Sequence, residues 1–281
     1  MQRAKDELGI EISELESASV SDYPDNLKLL AENGCDLVIG VGINMQLAVE
    51  EASAEFPDTN FAIIDAAIEQ DNVRSILFTE EQGSYLVGYL AGLMTETNKI
   101  GFVGGQELDL IKKFQYGYFA GALHANPEVE LLPAKYTGDW DNVDKGKVAA
   151  NVLYSGGADI VYHAAGRAGL GVIRAAADNG KYAIGVDSDQ DSEEPGSVLT
   201  SMIKGVDNAV FQTIDDVVNG SFSGGAVLYD LAAGGVGVSP MTHTKEDVGE
   251  ENLAKLDEVK QAIIAGEIVV PKTENEFKAS R

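Results

Sequence analysis

Short apolar runs, rich in Val and Ile, recur along the chain and end in glycine or a polar residue. A longer stretch with helical periodicity follows most of them. The clearest example spans residues 158–190. Ala158-Asp-Ile-Val-Tyr-His163 predicts a strand, Gly166-Arg-Ala-Gly169-Leu-Gly171 a glycine-rich turn, and residues 172–180 a helix. Tyr182-Ala-Ile-Gly-Val-Asp187 predicts the next strand. This is one parallel β-α-β unit, with His163 and Asp187 where the chain leaves the sheet. Ligands of open α/β sheets bind outside the carboxyl ends of the strands. Backbone N–H groups of the glycine turn face that same space.

The rest of the chain repeats this layout. Strands are expected over 10–15, 37–42, 61–65, 73–78, 99–105, 129–136, 197–204 and 226–231. Helices are expected over 23–33, 45–56, 80–95, 110–126, 142–155, 206–218 and 250–265. Such alternation argues for parallel sheets covered by helices on both faces. So many strands would make one open sheet wide, so two sheets of similar size are expected. The chain should cross between lobes near Thr97, cross back at Lys204, and cross again in the glycine-rich stretch 232–238. That gives one lobe of 1–97 with 205–238 and another of 98–204 with 239–281, with a ligand in the cleft.

Charge narrows the partners. The chain has 281 residues and a formal net charge of -26. A surface this acidic repels nucleic acid and anionic lipid. The single cysteine, Cys35, reads as a small buried hydrophobe and cannot form an internal disulfide. The three histidines show no metal-ligand spacing, and no cofactor or metal is expected. No run is long and apolar enough to span a membrane. Met1–Gly9 reads as the second half of an amphipathic helix closed by Gly9. The expectation is therefore that residues precede Met1, among them a strand beside 37–42.

Candidate chemistry sits at the strand ends. Gly40-Val-Gly42-Ile-Asn44-Met45 opens a helix after a strand but lacks the third glycine of a dinucleotide fingerprint. It reads as a tight turn, or as a cleft wall presenting Asn44 or Met45. Gly104-Gly105-Gln106-Glu107 offers hydrogen-bonding groups to a ligand, or is a solvated loop. Phe114 and the tyrosines after it lie at helical spacing; for most of them core packing fits better than stacking, and Phe114 is kept as a candidate to face a ligand. Arg167 either reaches ligand or points to solvent. Asp187 can accept hydroxyl groups, and Lys204 can donate to one or pair with Asp187. No serine elbow, Walker A sequence or nucleophile–base arrangement appears, so an enzyme is not expected.

Six stretches in order resemble the basic membrane protein family, bacterial solute-binding lipoproteins of ABC importers. They are 35–42, 80–88, Lys99-Ile-Gly-Phe-Val-Gly-Gly105, Gly157-Ala-Asp-Ile-Val-Tyr-His-Ala-Ala-Gly166, Lys181-Tyr-Ala-Ile-Gly-Val-Asp-Ser-Asp-Gln190 and Leu199-Thr-Ser-Met-Ile-Lys204. The resemblance covers nearly the whole chain. It implies a two-lobed type I periplasmic-binding-protein fold, each lobe a parallel α/β sheet flanked by helices. It implies a purine nucleoside as ligand, Asp187 and Lys204 on the ribose hydroxyls, and the region Tyr162 to Gly166 along the base with an aromatic stacking on it. It implies a permease and ATPase as partners, and export with a lipid anchor that this chain does not carry. Arg167 stands where family members often have a second glycine. The same fold binding riboflavin or a sugar, or a ligand-sensing regulatory protein, are the alternatives.

Overall fold

The computed structural model describes residues 1–281. In chain order the elements are α1 (Gln2–Leu8), α2 (Tyr23–Glu32), β1 (Leu37–Val41), α3 (Gln46–Glu55), β2 (Asn60–Ile64) and β3 (Val73–Phe78). Then come α4 (Glu80–Met94), β4 (Lys99–Gly104), α5 (Asp109–Ala125), β5 (Glu130–Leu131), β6 (Lys135–Tyr136), α6 (Val143–Ser155), β7 (Ile160–Ala164) and α7 (Gly169–Asn179). The chain ends with β8 (Tyr182–Asp187), β9 (Val198–Lys204), α8 (Val206–Val218), β10 (Gly225–Tyr229), β11 (Val236–Val238), α9 (Lys245–Ile264) and α10 (Glu274–Ala279). It divides into two compact units, Met1–Phe78 with Gly205–Tyr229, and Thr79–Lys204 with Asp230–Arg281.

The first unit is a four-stranded parallel sheet in the order β1-β2-β3-β10. Leu27 and Ala31 of α2, Val49 and Ala52 of α3, and Phe61 and Ile63 of β2 form one core against it. Arg74 is buried on β3, where it pairs with Asp216 of α8 and donates to the Ser223 carbonyl. The expected strand over 10–15 does not form. Ile10 and Ile12 are half-buried and Leu15 is exposed, and no neighbouring strand supplies a ladder. Alternation alone marks a half-buried surface; pairing needs a partner.

The second unit carries the larger sheet, seven strands in the order β11-β9-β8-β7-β4-β5, with β6 also on β4. Every pair is parallel except β11, which runs antiparallel to β9. The two sheets are thus unequal, against the expectation. Val236–Val238 is a strand of this unit, so the glycines of 232–238 form no crossing; the division falls after Tyr229. Pro133 splits the expected strand 129–136 into β5 and β6, because it offers no N–H to the ladder.

Helices α6 and α7 cover one face with Ala150, Leu153, Val172 and Ile173, which meet Val103 and Val161. Helices α4 and α5 pack against one another along glycines. A Cβ at Gly88 would overlap the Tyr118 carbonyl, one at Gly121 the Tyr85 carbonyl, and one at Gly117 the Glu81 carbonyl. This seam binds α4 to the second unit, which moves the first boundary from the expected Thr97 to Thr79. Asn142 caps α6, its side chain accepting from the Lys145 N–H at 3.1 Å. Asn142→Ala should lower stability by about 1 kcal/mol, read as a shift in urea midpoint at unchanged slope.

Candidate functional site

Because β4, β7, β8 and β9 are parallel neighbours, their carboxyl ends meet along one edge of the second unit. Asp187 is the last residue of β8 and Lys204 the last of β9, with Nζ 3.8 Å from the Asp187 Oδ1. The lysine side chain is 6% exposed and the aspartate 52%. This distance exceeds a hydrogen bond, so the attraction is electrostatic. An acceptor-only carboxylate beside a donor-only ammonium suits a ligand with adjacent hydroxyl groups.

The Asp187 backbone is strained. The Ser188 N–H donates to the Val186 carbonyl at 2.8 Å, closing a γ-type turn with Asp187 at φ 66. A residue with a side chain held there costs about 1–3 kcal/mol and persists only where its surroundings fix it. Gln190 does the fixing. Its Oε1 accepts from the Val186 N–H at 2.9 Å and lies 3.1 Å from His163 Nε2, and its own N–H donates to Ser201 Oγ at 3.0 Å. One residue thereby joins β7, β8 and β9. A Cβ at Gly185 would come within 2.7 Å of Gln190 Oε1 and 2.5 Å of Ser201 Oγ, so the junction needs glycine there.

His163 is 0% exposed, so it supports the site from beneath. The backbone contact fixes Gln190 Oε1 as an acceptor, so His163 Nε2 carries the imidazole proton. The other ring edge abuts Gly169, where a Cβ would overlap it, and Nδ1 is buried without a partner. Burial, partly opposed by Gln190, lowers the His163 pKa from 6.5 to about 4. Above pH 6.5 both folded and unfolded states are neutral, and no stability depends on this group. As pH falls from 6.5 towards 4, the unfolded chain takes the proton first and stability drops. The expected loss attributable to His163 is about 1 kcal/mol between pH 7 and 5.5. Urea midpoints of the wild type and His163→Gln at both pH values measure it; equal pH slopes would refute it.

Several sequence-selected residues lie elsewhere. Tyr162 points to the opposite face from His163, as neighbours on a strand must. Its ring is buried 5.1 Å from that of Tyr118 and 5.6 Å from that of Phe102, and its hydroxyl meets Ser84 Oγ at 3.1 Å. It is core, and so is Phe114, only 3% exposed on α5. Glu107 is exposed and paired with Lys112 at 3.2 Å, while Gln106 is half-buried beside the Gly105 exit. Gly166 has φ 57 and Arg167 is exposed on the turn after β7. In the first unit, Asn44 is exposed in the turn after β1. Met45 folds back so that its sulfur accepts from the Val41 N–H at 3.3 Å.

Two further residues, one in a loop and one at a strand end, escaped sequence reasoning. Trp140 covers Gly105, where any side chain would overlap the indole, and its carbonyl accepts from the Ala168 N–H at 2.9 Å. Its Nε1 is buried without a partner. The loop is held by Asp139, whose carboxylate accepts from the Asp141 and Asn142 N–H groups and pairs with Lys145. Those contacts, the Asp141 N–H foremost, lower the Asp139 pKa to about 2. Asp65 follows β2 in the first unit with φ 71, the counterpart of Asp187. The signal was present: Phe61-Ala-Ile-Ile-Asp65 repeats the pattern of Tyr182-Ala-Ile-Gly-Val-Asp187.

Two α/β units with polar groups at the carboxyl ends of parallel strands suit the binding of a small solute. The sequence profile of the family described as "Bmp: ABC transporter substrate-binding protein PnrA-like" matches residues 1–274, and the chain belongs to that family. It is 39% identical over 276 residues to the CD4+ T-cell-stimulating antigen of Listeria monocytogenes, covering 92% of this chain and 76% of the relative. It is 36% identical over 275 residues to the ABC transporter nucleoside-binding protein BmpA of Lactococcus lactis subsp. cremoris, covering 91% of this chain and 77% of that one. The crystal structure of an ABC transporter system solute-binding protein from Aeropyrum pernix K1 superposes with a TM-score of 0.86 at 30% identity, covering 99% of this chain and 91% of that one. The family's members are transporter components that bind substrate outside the cytoplasm, and are not enzymes. No helix of this chain is long and apolar enough to cross a membrane.

Proposed function

We propose that this protein captures a purine nucleoside and delivers it to a permease with its ATPase. The Asp187–Lys204 pair carries the reading: an exposed carboxylate 3.8 Å from a buried ammonium, matched to the two hydroxyls of a ribose. Trp140 supplies an aromatic face for the base, near the Gly166 turn. A lipid anchor tethers the protein to the outer side of the membrane. The nucleoside-binding relative from Lactococcus supports the ligand class.

Titration calorimetry with inosine, guanosine, adenosine, uridine, riboflavin and ribose tests the assignment. Purine nucleosides should bind at least about tenfold more tightly than the others, a difference of about 1.4 kcal/mol. Preference for riboflavin or free ribose would overturn it, since both share hydroxyl chemistry with the nucleosides but lack the purine nucleoside's combination of base and ring.

A further inference from the structure

We propose that Gln190 is a positioning residue for ligand binding, holding the Asp187 carboxylate in the orientation that receives the ribose hydroxyls. The inference rests on the nucleoside reading above and deepens it. Three observations converge. Asp187 occupies a γ-type turn at φ 66, a conformation that relaxes unless its neighbours hold it. The residue just before it, Val186, gives its N–H to the Gln190 side chain at 2.9 Å. The same oxygen is anchored from beneath by His163, which is fully buried and has no freedom to follow a relaxing loop.

The anchoring is specific to this side chain. Ser201 receives the Gln190 N–H at 3.0 Å, which fixes the main chain from which the amide reaches back. Gly185 leaves the space the amide occupies. A shorter residue at 190 would leave the Val186 N–H without its partner and cut the link to His163 of β7, while the backbone contact to Ser201 of β9 remained. Asp187 would remain in the protein, but its carboxylate would sample orientations in which it misses one hydroxyl.

The test compares inosine with 2′,3′-dideoxyinosine, which keeps the base and loses both hydroxyls. Gln190→Ala should weaken inosine binding roughly tenfold and change 2′,3′-dideoxyinosine binding by less than about twofold. Asp187→Asn should show the same selectivity, and the double variant should bind inosine no more weakly than Asp187→Asn alone. In the ligand-free protein, amide exchange at Ser188 should quicken by roughly tenfold or more in Gln190→Ala. Gln190→Glu retains an oxygen for both contacts and should keep Ser188 exchange slow, which covers the case in which the alanine variant fails to fold. Equal weakening of both ligands by Gln190→Ala would overturn the proposal, as would unchanged Ser188 exchange. If Asp187→Asn fails to separate the two ligands, the ribose assignment falls and takes the ligand half of the proposal with it. Ser188 exchange then decides by itself whether Gln190 holds the turn.

Discussion

Gly121→Ala should destabilise the second unit by about 3 kcal/mol or more and lower its melting temperature by roughly 5–10 °C. Two effects compete. Alanine in a helix interior gains about 1 kcal/mol over glycine in intrinsic propensity. Against that, the added Cβ would overlap the Tyr85 carbonyl oxygen of the facing helix. A side chain in that position could rotate away; a carbonyl inside a helix cannot, so α4 and α5 must separate. Gly88 and Gly117 make equally close approaches along the same seam, so separation at one point loosens the others. Opening the seam also disturbs the rings of Tyr118 and Phe119 packed below it. Circular-dichroism melts measure the effect, with Gly237→Ala as control because nothing lies within 4 Å of a Cβ there. An unchanged melting temperature for Gly121→Ala would show that the seam can expand without loss.

Asp187→Asn should weaken nucleoside binding ten- to a hundredfold while leaving the fold intact. Asparagine tolerates the left-handed region at least as well as aspartate does, so the turn at φ 66 survives. What disappears is the charge. A hydrogen bond to a charged acceptor contributes about 1.5–3 kcal/mol, which converts to that range of affinity. The Lys204 ammonium, 6% exposed, also loses an anion 3.8 Å away. Cys35→Ala, two residues before β1 and packed against the core of the first unit, should change affinity by less than about twofold. Calorimetry with inosine decides; equal effects of the two substitutions would remove Asp187 from the ribose.

The sheets were legible because fully buried parallel strands read as apolar runs, and the polar residue that ends each run marks its carboxyl end. That rule located Asp187 and Lys204, and the structure brings them together. It failed where strand neighbours were counted as one site. Tyr162 and His163 are adjacent in sequence and therefore face opposite sides of the sheet, one in an aromatic core and one beneath the Asp187 turn. Trp140 was passed over because its loop has no periodicity; only the close approach to Gly105 gives it a place. The role of Gln190 could not be read from spacing, since its partners come from three strands far apart in sequence. α10 was missed for a related reason. Its six residues hold no periodic pattern, and it docks through one ring, Phe277, stacked on Tyr116.

The left-handed backbone at Asp187 also governs how this position can drift. Ordinary similarity scoring ranks glutamate among the mildest exchanges for aspartate, because it preserves the charge. At φ 66 that ranking inverts. Glutamate lacks the short side chain that makes aspartate, asparagine and glycine tolerable there, so it would break the turn while keeping the carboxylate. Asparagine and glycine would keep the turn and discard the carboxylate. Among the common single exchanges none keeps both, so random mutation at this codon tends to produce a folded protein without the charge, or a charged one whose loop has moved. Residue 187 is therefore constrained twice over, by the backbone it must adopt and by the charge it sets beside Lys204.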